Sequence, residues 1–350
     1  MIIIGIDMGS SSLKLCSARG QSMTYARVSL PIPGHQAIGR ALSDNLDYLE
    51  LVGDLAYCVG RDAHAVGSPL ENLDNNRFDG NPVTRALFNA ALYEHLSTYY
   101  ADEGRNDARG SVKGRAEVEV RWRVGLAIGL PLAMWLQYAS QRREPLAWAK
   151  GSHQFVVRRP GSKPTSAQCI VEQVLTIPQA AGTLYDWAFQ PDESGGYVVR
   201  PEFNAVVGVV NIGMNTTEIM VSEHGRQEPA LASSLSVGVK NYMMMYEESR
   251  GYSFAQLDER IRRGEFPHRA ALRLIWENNL QGQIYRIWQD NRARIERYIL
   301  SGGGIYLISE QFKDFLRFGR EGVQFEVRDV LSTASGLHKI ALRTLAQGTK

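Results

Sequence analysis

Three short segments carry residues whose types and spacing suit the binding of a polyanion. The first is Gly5-Ile6-Asp7-Met8-Gly9-Ser10-Ser11-Ser12-Leu13-Lys14. Asp7 ends an apolar, β-branched run. Small residues follow, whose backbone N–H groups can converge on an anion. Lys14 lies seven residues after the aspartate, so its ammonium can reach the same anion. A carboxylate beside phosphates usually works through a hydrated Mg²⁺. The same residues also describe an ordinary hairpin with a surface lysine. The second segment is Asn211-Ile212-Gly213-Met214-Asn215-Thr216-Thr217-Glu218. Gly213 permits close backbone approach, and the threonines offer hydroxyl and N–H groups; a plain polar hairpin fits as well. The third is Ile299-Leu300-Ser301-Gly302-Gly303-Gly304. Bare glycine backbone can lie flat against a base or ribose, or simply turn from strand to helix.

These segments need strands and turns to hold them. Ile2–Asp7 and Ala205–Ile212 read as buried strands, with returning strands at Leu13–Ser17 and Thr216–Ser222. The opening pattern therefore repeats near residue 211, and two similar halves can close on one ligand. Leu55–Val59, Val118–Ile128, Phe155–Arg158, Ile170–Val174 and Arg297–Leu300 complete the strands. Helices are expected over Asn81–Tyr100, from Pro178 to Ala188, and over Lys240–Ser249, Phe254–Arg263, Pro267–Arg294 and Ser335–Ala346. In the long one, Leu274, Ile284, Ile287 and Trp288 are the expected inward positions. Met243-Met244-Met245 reads as a core-facing segment. Ala101–Arg115, with Arg105, Arg109, Lys113 and Arg115, reads as a polar surface loop.

Length and composition bound the rest. The 350 residues, 44% hydrophobic, suit two domains. A net charge of +2 gives no bulk electrostatic case for direct nucleic-acid or membrane binding. Cys16, Cys58 and Cys169 are odd in number and widely spaced, which fits neither a disulfide framework nor a zinc site and points to a reducing, cytoplasmic compartment. His153, His224, His268 and His338 have no ligand spacing. The longest apolar run, Val124–Leu136, is broken by Gly125, Gly129 and Pro131 and falls short of the ~20 residues that cross a bilayer. It reads as a strand and a turn. The apolar start has no basic leader.

There is no Lys-Ser/Thr phosphate loop and no dinucleotide fingerprint. Taken together and in order, the three segments resemble those of the actin, sugar kinase and heat-shock chaperone ATPase superfamily. Val174-Leu175-Thr176-Ile177-Pro178-Gln179-Ala180-Ala181-Gly182 and Leu331-Ser332-Thr333-Ala334-Ser335-Gly336-Leu337 are similar to its two interdomain connectors. Val124–Leu132 and Tyr57-Cys58-Val59-Gly60 are similar to segments of ParM-like and archaeal actin-like proteins. The resemblance implies an α/β, actin-like fold, a duplicated ribonuclease H-like pair of domains with a nucleotide cleft. Domain I would span 1–178 with a returning helix over 332–350, and domain II 179–331.

By the same resemblance Asp7 would hold Mg²⁺ through water. Gly9, Ser10, Ser11, Ser12 and Lys14 would meet the β- and γ-phosphates from one side, and Gly213, Met214, Asn215, Thr216 and Thr217 from the other. Gly238, Lys240 and Asn241 would begin the helix at the ribose and base, and Gly302, Gly303 and Gly304 would lie against the adenosine. Gln179 would orient the attacking water, by positioning rather than as a base. One departure stands out: the second loop begins with Asn211 where the family has Asp. An amide carries no charge and donates as well as accepts. Binding of ATP, or GTP in its place, is expected to survive, with hydrolysis slowed. The implied partners are copies of the chain in a head-to-tail filament and a DNA-binding adaptor in plasmid or DNA segregation. A small-molecule kinase and a non-polymerising scaffold ATPase are the competing readings. Asn211 and the chain length weigh against the first, and the short, non-amphipathic Thr344–Lys350 end against the second.

Overall fold

The computed structural model describes residues 1–31, 48–52, 55–61, 63, 67–70, 78–104, 120–141, 144, 146–159, 165–193, 196–246, 251–252, 256–258, 260, 265 and 269–345. The residues divide into two compact units. One comprises Met1–Ile128, Arg143–Thr176 and Ala341–Lys350; the other comprises Gly129–Arg142 and Ile177–Ile340.

The first unit is built on a ten-stranded sheet of order β3-β2-β1-β8-β10-β9-β5-β6-β4-β7. Its first three strands, β1 (Ile2–Met8), β2 (Ser12–Ser17) and β3 (Gly20–Tyr25), form an antiparallel meander. The apolar content of Ile2–Met8 is explained by burial: Ile4, Ile6 and Met8 are all inside. The remaining strands are β4 (Val28–Pro31), β5 (Tyr48–Val52), β6 (Leu55–Val59), β7 (Gly67–Leu70), β8 (Val120–Leu130), β9 (Gly151–Arg158) and β10 (Thr165–Pro178). Helix α1 (Pro82–Tyr99) starts where Asn81 Oδ1 accepts from Thr84 N at 2.8 Å, with proline in the first turn. It packs on this sheet, and the buried His95 bridges Ser17 Oγ and Ser22 Oγ at 2.8 and 2.9 Å. Cys16, Cys58 and Cys169 are buried free thiols, and burial pushes Cys169 up to about 12.

The second unit has a sheet of order β15-β14-β13-β17-β18, with β16 on β14. Here β13 (Val207–Ile212) pairs antiparallel with β14 (Thr217–Glu223) and parallel with β17 (Arg297–Ser301), which pairs parallel with β18 (Gln324–Val327). The short strands β15 (Arg226–Gln227) and β16 (Ser233–Leu235) extend β14, and β11 (Phe189–Pro191) and β12 (Tyr197–Val199) form a separate hairpin. Helix α2 (Leu132–Gln141) belongs to this unit, because its first two free N–H groups are taken by β14 and β16. Leu132 N donates to Glu218 Oε2 and Ala133 N to Ser234 Oγ, both at 3.0 Å. Val124–Leu136 is thus a strand and the first turns of a helix, not a strand and a simple turn, and Leu136 is exposed.

Three helix expectations are corrected. The long helix is α5 (Ala270–Trp288), followed by a 3₁₀ segment over Gln289–Arg294. Its buried stripe is Trp276, Leu280, Ile284 and Trp288, one residue per turn, while Leu274 is exposed and Ile287 half-buried. The two indoles settle which face goes in: Trp276 Nε1 donates to Gly238 O and Trp288 Nε1 to Leu231 O. The helix expected from Lys240 is only α4 (Val239–Met243), and of the three methionines Met243 is buried and Met244 exposed. The last helix, α7 (Ser332–Leu345), begins three residues early and absorbs most of the second connector-like segment. The basic residues Arg105, Arg109, Lys113 and Arg115, and much of the helix expected over Phe254–Arg263, lie outside the described residues. Helices α3 (Gln179–Ala188) and α6 (Glu310–Arg317) complete the unit. Among the described residues, no helix is long and apolar enough to cross a membrane.

Candidate functional site

The first hairpin places Asp7 directly opposite Lys14 in the β1–β2 ladder. Directly opposed residues share a face of the sheet, so the seven-residue spacing becomes a contact. Lys14 Nζ donates to Asp7 Oδ2 at 2.9 Å, and the aspartate is buried. Gly9 is required by the turn, since a Cβ there would lie 2.8 Å from Ser12 O and 3.4 Å from Lys14 Nζ. Ser12 is buried, while Gly9, Ser10 and Ser11 are partly exposed at the tip.

The second hairpin has the same register: Asn211 stands opposite Glu218, again seven residues on. Its tip is closed by Gly213 N donating to Thr216 O at 2.8 Å. The start of α4 is fastened to it, with Val239 N donating to Gly213 O at 3.0 Å and Lys240 N to Met214 O at 2.8 Å. Gly238 has no room for a side chain, because a Cβ would meet Met214 O at 2.5 Å. Asn241 Oδ1 accepts from Gly238 N at 2.9 Å, so its carbonyl is used within the turn. Thr217 is also committed, its hydroxyl donating to Val237 O at 2.6 Å. Met214, Asn215 and Thr216 are partly exposed.

The glycine turn after β17 packs on this hairpin. Gly302 has φ +84°, and a Cβ on it would fall 2.5 Å from Asn211 Oδ1. A Cβ on Gly304 would meet Ile212 and Val239 at 2.9 Å. Gly303 faces open space. Two of the three glycines are therefore fixed by packing and one leaves bare backbone accessible. Gln179 is the first residue of α3 and is buried.

The residue set that sequence reasoning missed surrounds Asn211. Its Nδ2 donates to Thr333 Oγ1 at 3.0 Å and Thr183 Oγ1 at 3.4 Å; Thr183 Oγ1 is also 3.0 Å from Thr333 Oγ1 and 3.1 Å from Ser301 Oγ. All three hydroxyl residues are buried. They meet because α3 and α7 cross in backbone contact at Gly182 and Gly336, where a Cβ on Gly182 would lie 2.8 Å from Thr333 O. Both connector-like segments carry such a glycine, which is the signal that was available. Just beyond the crossing, buried Asp186 accepts from Lys339 Nζ at 2.8 Å, Ser335 Oγ at 2.5 Å and Arg328 Nη2 at 2.6 Å. Burial alone would raise the Asp186 carboxyl, but Lys339, Ser335 and Arg328 together outweigh it and hold it below its ordinary value.

Chemically, these loops offer a carboxylate with an ammonium, an amide oxygen, hydroxyls, and glycine turns where a Cβ would intrude. Oxygen donors of this kind, taken hairpin by hairpin, suit phosphates and a hydrated Mg²⁺ rather than a directly ligated transition metal. Among the described residues no group of three or more His, Cys, Asp or Glu could hold a metal by itself.

No protein-family model and no curated sequence matches the chain. Solved structures do. The apo ParM of psk41 is 15% identical, with a TM-score of 0.63, covering 100% of this chain and 99% of that chain. Ta0583, an archaeal actin homolog, in complex with ADP, is 15% identical at TM-score 0.64, covering 98% and 100%. A 15-stranded ParM filament from Clostridium botulinum is 13% identical at TM-score 0.66, covering 98% and 99%. The fold is actin-like, of the kind found in ParM and archaeal actin homologs, over essentially the whole chain.

Proposed function

We propose that this chain is an actin-like protein that binds ATP with Mg²⁺, or GTP in its place, and assembles head to tail with copies of itself. The observation that carries the reading is the duplicated hairpin. Asp7 opposite Lys14 and Asn211 opposite Glu218 occupy the same register at the ends of buried strands, and the Gly302–Gly304 turn is packed on the second. Support from outside the chain is the ADP complex of an actin homolog and the filament formed by a ParM of the same fold.

In this reading Asp7 holds the hydrated Mg²⁺, which when bound supplies positive charge against the phosphates. Lys14, now occupied by Asp7, turns to the phosphates with the backbone of Gly9, Ser10, Ser11 and Ser12. Gly213, Met214, Asn215, Thr216 and Thr217 also bind phosphate. Gly302, Gly303 and Gly304 take the nucleoside, with Gly238, Lys240 and Asn241 beside it. Gln179 positions the attacking water. Asn211 would accept from the hydration shell of the metal more weakly than a carboxylate would, which would slow hydrolysis. Residues 1–178 with 332–350, and 179–331, are the two domains, save that Gly129–Arg142 and 332–340 go with the second, where they pack. The setting is cytoplasmic, and an adaptor links the polymer to a segregating DNA.

Titration with a fluorescent ATP analogue and Mg²⁺ tests the reading. Saturable binding, weakened at least tenfold by Lys14→Ala, is expected; absence of binding rejects it. Phosphate release should be faster in Asn211→Asp than in the native chain, and equal rates would sink the slow-hydrolysis claim.

A further inference from the structure

We infer that Thr183 and Thr333 are positioning residues for Asn211: their hydroxyls take up its amide nitrogen, so that its carbonyl oxygen is the atom turned to the nucleotide's metal-bound water. The inference rests on the nucleotide-binding reading above and adds how the uncharged residue at 211 is made to serve it.

Hydrogen counting fixes the amide's orientation. The cluster has four contacts within hydrogen-bond reach: Asn211 to Thr333, Thr183 to Thr333 and Thr183 to Ser301 at 3.0–3.1 Å, and a longer one, Asn211 to Thr183, at 3.4 Å. Each contact needs one hydrogen. The three hydroxyls supply three. With Nδ2 facing the threonines, the amide adds two more and every contact is supported. With Oδ1 facing them, three hydrogens must serve four contacts and one pair of oxygens abuts without a proton. The buried setting makes such an unsupported contact costly.

Oδ1 is then left for another donor. No described residue donates to it, and Asn211 is only half-buried. Gly302 keeps that side open, because any Cβ there would lie 2.5 Å from Oδ1. A water bound to Mg²⁺ has its lone pair engaged by the metal and acts as a donor, so it needs an acceptor opposite. An amide free to flip would present NH₂ part of the time and repel that water. The threonines remove this alternative. They also tie residue 211 to both crossing helices, α3 through Thr183 and α7 through Thr333.

The same count explains why a carboxylate is not simply better here. An aspartate at 211 brings no hydrogen, so the cluster is again one short.

The test is the Mg²⁺-dependent part of nucleotide affinity, taken as the ratio of ATP dissociation constants in EDTA and in Mg²⁺. Thr333→Val keeps the shape and removes the hydroxyl. It should lower that ratio about fivefold, the worth of one hydrogen bond, while the affinity in EDTA stays unchanged. Thr333→Ser should restore the ratio. Thr183→Val is the second variant, in case the first unfolds, and should act in the same direction. A native ratio in a folded Thr→Val variant overturns the inference and leaves nucleotide binding standing. No ATP binding by the native chain overturns both.

Discussion

Two glycine-to-alanine substitutions should have opposite effects on stability, and the structure says why. Gly336 on α7 lies against the backbone of α3. A methyl group there would fall inside the Gly182 carbonyl oxygen and 2.7 Å from Asp186 N. Ordinary contact needs ~3.5 Å, and the obstacles are helix backbone, which cannot rotate away. The helices must separate by roughly 1 Å or more, which overpacking data place at about 1–3 kcal/mol. Separation also stretches the Thr183–Thr333 contact, now 3.0 Å, and the Asn211 bonds to both. Each lost bond adds about 1 kcal/mol. Alanine's better helix propensity returns about 1 kcal/mol. Counting the two 3.0 Å bonds as lost, and not the 3.4 Å one, Gly336→Ala should therefore destabilise the chain by about 2–4 kcal/mol. Gly282 is the control. It sits in α5 on an exposed face, and a Cβ there would meet nothing within 4 Å. Gly282→Ala should stabilise by about 0.5–1 kcal/mol. Urea unfolding followed by far-ultraviolet circular dichroism measures both. A Gly336→Ala midpoint at or above that of the native chain would refute the backbone crossing and the hydroxyl cluster that depends on it.

Other consequences concern buried charge. His338 is buried, and desolvation with the nearby Lys339 charge lowers its pKa from 6.5 to about 4. The unfolded chain takes up a proton that the folded chain refuses, so stability is full above about pH 6.5 and falls as the pH drops toward 4. The loss reaches about 3 kcal/mol. Midpoints at pH 7 and pH 4.5 should converge in His338→Gln relative to the native chain. Lys339→Met should cost about 2 kcal/mol by removing one of the two cations on the buried Asp186 carboxylate and leaving Arg328 to hold it, and adding Asp186→Asn should recover part of it; additive losses would contradict the pairing. Asn211→Asp should lower stability by about 1 kcal/mol through the missing hydrogen in its cluster, measurable in the same urea experiment.

The two hairpins were legible because their signals are local. A β-branched run ending in Asp7 or Asn211, followed by small residues, specifies strand and turn within a dozen positions, and the seven-residue spacing of Asp7 and Lys14 is what a short antiparallel hairpin sets opposite. The Asn211 cluster was not legible, because Thr183, Ser301 and Thr333 lie on three elements far apart in sequence and nothing local marks an alcohol as a partner. Helix faces were read imperfectly for a related reason. Leu274 has the right chemistry for a core, but the inward stripe is fixed by indoles that must reach Gly238 O and Leu231 O. The start of α7 at Ser332 was placed late because Ser-Thr-Ala-Ser-Gly reads as a loop; close packing on Gly182 overrides that composition.

Negative-stain microscopy of the purified protein, with and without ATP–Mg²⁺, decides whether the chain polymerises with nucleotide. Filaments are expected with nucleotide and dispersed particles without it. Dispersed particles under both conditions, at a concentration where ATP is shown to be bound, would contradict it.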